Sequence, residues 1–179
     1  MIGHRTSSAS RHRCARLAGI VFLLYIATGM TSMALSRRAT GAGEGTAARL
    51  SGIAQHAPTM RVTILLRLVS VGYALVLATT LHSLTCDHDR DLALAAFCCR
   101  ACEGAFIAVS IVASLSLLSI SEAPRGADVP DEALRLTLAE LLFKAENWTV
   151  MISSICFAAG STLYSYLFLR ARSIPVSLA

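Results

Sequence analysis

The chain has 179 residues, of which 55% are hydrophobic and 15% charged, against about 25% charged in a soluble domain. Mean hydropathy is positive, and a soluble domain of this length could not hide so much apolar surface, so part of its solvent must be lipid. The formal charge of +5 comes almost wholly from arginine, with Lys144 the single lysine. These arginines flank apolar runs instead of forming an exposed basic patch, which argues against nucleic-acid binding and for membrane anchoring.

The first apolar run, Leu17 to Ser36, is uncharged over about 20 residues, enough at about 1.5 Å per residue to cross a ~30 Å hydrocarbon core. Arg11, Arg13 and Arg16 precede it, and Arg37 and Arg38 follow. A basic start and the small residues Ser32 and Ala34 also fit a signal peptide. The run is nevertheless long for a signal-peptide core of about 7–15 residues, so a retained span is expected.

From Thr40 to Met60, Ala47, Leu50, Ile53, Ala54 and Ala57 recur at helical spacing, which predicts a short amphipathic helix at the interface. The second span is expected over 61–84, broken only by Arg67. The short link Cys86 to Asp91 then predicts a tight antiparallel hairpin with a third span over 92–121. Pro124, Gly126 and Pro130 mark a loop. Leu134, Leu138, Leu141, Leu142 and Ala145 form one face of an amphipathic lead-in, with Asp131, Arg135, Glu140 and Lys144 elsewhere. The fourth span, 148–169, opens on Trp148 at belt position and closes on Arg170 and Arg172.

The expected fold is therefore all-α and polytopic, with four transmembrane helices. Residues 1–16 form a basic N-terminal tail, and 17–179 a single helical membrane domain. Flanking charge does not orient it by count: an N-in topology places seven basic residues on each side. The dense basic flank of the first helix favours both termini on the cytoplasmic side.

Cys98, Cys99 and Cys102 crowd the start of the third span. Cys99 and Cys102 make a C-x-x-C, which raises a metal or redox reading. A structural metal needs about four converging ligands, and one helix offers two or three. His82 and His88 in and beside the preceding hairpin are the nearest candidates to complete a set. No second C-x-x-C or H-x-x-H is present, and there is no βαβ context for a thioredoxin-like motif. Cysteine is also a small, readily buried residue, so these thiols are expected to pack, and no cofactor is expected.

Arg100 and Glu103 are costlier, since a charge at the centre of a span is disfavoured by about 2.5–3.5 kcal/mol. Three residues apart, they can pair on one helix. Glu103 shares a small, polar stripe with Ala96, Cys99, Ser110 and Ser114, a composition that suits helix–helix contact. Arg67 is the other intramembrane charge, and hairpin packing could bring it near Glu103. The plain reading is a register-fixing ion pair with Arg67 and Arg100 snorkelling to the headgroups. The sharper reading is a polar site for an anionic headgroup, a proton or a small ligand. No catalytic motif appears, whether G-x-S-x-G, H-E-x-x-H or a phosphate-binding glycine loop.

Three stretches resemble the bacterial membrane-protein family named domain of unknown function 4386. They are "RLAGIVFLLYIATGM" in the first span, Arg100-x-x-Glu103 within "LALAAFCCRACEGAFIAV", and "YSYLFLRARSIPVSLA", where Ser165 replaces a usual glycine. The resemblance implies an all-helical integral membrane protein without an assigned activity. It also implies one or two spans beyond the Ile174–Pro175 equivalent, so a short or truncated member is expected.

The expected function is non-enzymatic binding or interaction around a polar centre of Arg100 and Glu103, with Arg67. The setting is a bacterial inner membrane, and the expected partners are the lipid bilayer and a second copy or another membrane protein. The alternatives are a membrane thiol or metal enzyme using Cys98, Cys99, Cys102, His82 and His88, or a transporter subunit.

Overall fold

The computed structural model describes residues 8–41, 45–123 and 129–171. Among these are five helices and no strand: α1 (Ser8–Thr40), α2 (Thr46–Gln55), α3 (Ala57–Thr85), α4 (Arg90–Glu122) and α5 (Val129–Arg170). All but α2 are long and apolar enough to cross a membrane. The chain is a multi-pass membrane protein.

The helix ends follow local chemistry. Gly41, at φ 69°, supplies the left-handed residue that stops α1. Pro58 sits in the first turn of α3, where its missing N–H costs nothing. The Asp89 carboxylate caps α4 by accepting from Leu92 N–H at 3.2 Å, and its other oxygen takes Arg170 Nη1 at 2.9 Å. This ties the start of α4 to the end of α5. At the other end of α4, Ala123 turns extended, as a residue before proline should.

Two helices run beyond the spans expected from sequence. The basic stretch before the first apolar run is largely helical, because α1 starts at Ser8 and runs straight into the span. The amphipathic lead-in and the fourth span are one helix of 42 residues, about 63 Å long at 1.5 Å per residue. Nothing in 129–147 breaks it, and Pro130 falls in its first turn, where proline is tolerated. The loop expected around Pro124 and Gly126 lies outside the described residues, as do Arg172 and the "SIPVSLA" ending.

The four long helices alternate in direction. They pack in the order α1–α3–α4–α5, and α1 and α5 meet only marginally. At the end where α3 turns into α4, Ala93, Ala96, Tyr164 and Leu167 form one core. At the opposite end, Leu50 and Ile53 of α2 insert among Met60, Ile64, Leu117, Ala139 and Phe143, so the interfacial helix plugs the bundle. Leu23, Leu65, Val112 and Ile155 point outward and are well exposed, which suits a lipid-facing perimeter.

Candidate functional site

Arg100 and Glu103 are buried, each side chain 1% exposed, with Arg100 Nη1 2.8 Å from Glu103 Oε2. The contact is an ion pair, but it is out of line for a hydrogen bond. All three guanidinium nitrogens and Glu103 Oε2 lack a hydrogen-bond partner among the described residues. Two aromatic rings compensate: Arg100 Cζ lies 4.8 Å from the centroid of Phe157 on α5 and 5.4 Å from that of Tyr25 on α1. Such cation–π contacts strengthen when desolvated. Tyr25 also donates its hydroxyl hydrogen to Glu103 Oε1, and its ring stacks on Phe157 with centroids 6.2 Å apart. Room for the arginine comes from Gly160, where a Cβ would sit 3.1 Å from Arg100 Cδ and 3.2 Å from Cys99 Cβ.

Arg67 does not join this centre. It donates to Glu146 Oε1 and, at 2.9 Å, to the Ser114 hydroxyl oxygen, and Ser114 in turn donates to Glu146 Oε1 at 2.9 Å. The reason is register: Arg67 lies level with Ser114, about 11 residues or ~16 Å along α4 from Glu103. Both arginines are paired with carboxylates inside the bundle. Two further serines bond between helices. Ser70 donates to Thr28 Oγ1 at 3.1 Å, and Ser153 donates to the Glu103 carbonyl at 3.3 Å.

Because α1 and α5 barely touch, a cleft of about 590 Å³ opens between them. Its inner wall carries Arg67, Ser70, Ser110, Glu146, Asn147 and Ser153, and Tyr25 lies at its deep end. Ile26, Met30, Met33 and Val150 line it while remaining well exposed, so the lips are apolar. Arg37 and Arg49 lie at the α2 end, with Arg49 held 3.9 Å over the Phe143 ring.

Cys98 and Cys102 are exposed, and Cys99 is half-buried. His82 packs against Phe97, ring centroids 5.6 Å apart. No group of three His, Cys, Asp or Glu side chains converges on a metal position among the described residues.

The family model described as Domain of unknown function (DUF4386) matches residues 17–179. The chain belongs to that family. No curated protein and no solved structure matches it. In this DUF4386 chain, two of the three polar residues singled out by sequence, Arg100 and Glu103, do come together. Arg67 stands apart with a partner that sequence reasoning missed. Glu146 lies at the end of the amphipathic lead-in, where nothing in the sequence sets it apart from its charged neighbours. Tyr25 carried no signal beyond being a polar-tipped aromatic within an uncharged span. Both become visible only once helix rotation is known.

Proposed function

We propose that this DUF4386 chain is a non-enzymatic binding protein of a bacterial inner membrane, with both termini cytoplasmic. Its ligand site is the cleft between α1 and α5. Arg67 and Glu146 form the wall, and the Arg100–Glu103 pair with Tyr25 fixes the floor. The supporting observation is the cleft itself: a cavity of about 590 Å³ with charged and hydroxyl side chains inside a membrane-spanning bundle. Intramembrane charge is retained against its cost mainly where it meets a ligand, a pathway or a partner.

The test is native mass spectrometry of the chain in mild detergent, with metal analysis of the same sample. Ser154 lines the cleft from an exposed position beside Ser153, which bonds the Glu103 carbonyl, so Ser154→Trp fills its deep end without disturbing the core. Wild type should retain a bound small molecule or lipid that Ser154→Trp loses. An identical complement in both would sink the reading. One metal per chain, released by thiol alkylation, would move the site to Cys98, Cys99 and Cys102.

A further inference from the structure

We propose that the cleft takes an anionic phospholipid from the leaflet on the α2 side. Its phosphate would sit at Arg37 and Arg49 and one acyl chain would lie between the lips of α1 and α5. This rests on the cleft being a binding site and adds the class of ligand and the side from which it comes.

Depth is the first argument. Tyr25 and Thr40 mark the ends of the cleft along α1, with Arg37 one turn inside the second. Fifteen residues of helix span about 22 Å, close to one leaflet with its headgroup layer, since the bilayer is about 40–45 Å thick with headgroups included. The cleft thus reaches from one interface to about mid-membrane and stops at the Tyr25–Phe157 stack. A continuous pathway would cross both leaflets; this cleft has the length of one lipid chain.

Charge is the second. Of the arginines lining the cleft, Arg67 is neutralised by Glu146. Arg37 and Arg49 have no carboxylate partner among the described residues, and Glu146 is the one carboxylate among the described lining residues. Among the described lining residues the α2 end therefore carries two positive charges and no carboxylate, which favours anionic over zwitterionic headgroups. Guanidinium groups suit phosphate by geometry as well as charge.

Polarity of the lips is the third. Met33, Met30 and Ile26 follow one another down α1 from Arg37 towards Tyr25, and Val150 lines the cleft from α5. All four are at least 42% exposed, so a chain can slide in sideways from the bilayer. Flexible methionines adapt to a chain of irregular shape.

The experiment is a lipid titration of the delipidated full chain, read by native mass spectrometry. The probes are phosphatidylglycerol, phosphatidylethanolamine and soluble glycerol phosphate. Phosphatidylglycerol should be retained at about tenfold lower concentration than phosphatidylethanolamine, the scale of one hydrogen bond to a charged group. The double variant Arg37→Gln/Arg49→Gln should lose that margin. Arg16→Gln, at the opposite end of α1, should keep it. Equal retention of both lipids, still abolished by Ser154→Trp, overturns the anionic class and leaves the cleft as a binding site. Phosphatidylglycerol binding indifferent to the arginine variants marks general annular lipid and overturns the proposal. Glycerol phosphate binding as tightly as the lipid assigns the site to a free anion and overturns it too. If Ser154→Trp changes nothing with any probe, both the proposal and the binding reading fall.

Discussion

Tyr25 on α1 donates its hydroxyl hydrogen to Glu103 on α4, 78 residues further along the chain. The same carboxylate pairs with Arg100, which packs against Phe157 of α5. Three of the four spans therefore meet at a single carboxylate. A charge that would be costly alone in a membrane becomes the point that fixes how α1 and α5 sit on α4.

Removing that carboxylate should be severe. Glu103→Leu leaves Arg100 buried without a counter-charge and should cost about 3–5 kcal/mol. The double variant Arg100→Met/Glu103→Leu should recover most of the loss, since apolar replacement of a buried pair is often neutral. Reversible denaturant unfolding in detergent reads both. Equal losses in the single and double variants would show that the charge balance is not what matters.

Tyr25→Phe keeps the ring stacked on Phe157 and deletes only the hydroxyl. The lost hydrogen bond to a charged acceptor should cost about 1.5–3 kcal/mol. An unchanged unfolding curve would mean that the contact carries no net stability.

Two glycines make a matched comparison. At Gly160 an added methyl meets Arg100 Cδ at 3.1 Å and Cys99 Cβ at 3.2 Å, whereas at Gly72 it meets nothing within 4 Å. Gly160→Ala should destabilise by about 1–3 kcal/mol, as overpacking does. Gly72→Ala should be neutral or stabilising, since alanine is the better helix former by about 1 kcal/mol. Melting temperatures of the two variants should move in opposite directions, or only the first should move.

Two arginine–glutamate pairs test burial. Arg61–Glu122 is exposed, at 62% and 40%, while Arg67–Glu146 is 15% exposed on both sides. Glu122→Gln should cost no more than about 1 kcal/mol. Glu146→Gln should cost about 1–3 kcal/mol because Arg67 is left underpaired. It should also alter retention of whatever occupies the cleft, which native mass spectrometry would show.

The thiols should be dispensable to the fold. Cys98 and Cys102 are exposed on α4, so Cys98→Ala/Cys102→Ala should stay within about 0.5 kcal/mol of wild type. A larger loss, or a change in metal content, would restore a centre at that motif.

The sequence by itself determined the spans, because lipid selects length and hydropathy, and those are properties of contiguous residues. It also determined the Arg100–Glu103 pair, because a spacing of three places both side chains on one helical face whatever surrounds them. It did not determine that Arg67 meets Glu146, that Tyr25 reaches Glu103, or that α1 and α5 stand apart. Those depend on how each helix is rotated and how far it slides along its neighbours. Small residues such as Gly160 decide this by where they let side chains approach, and hydropathy is blind to it. The cleft follows from the same cause: the order α1–α3–α4–α5 leaves one seam barely closed, and only packing chose which seam.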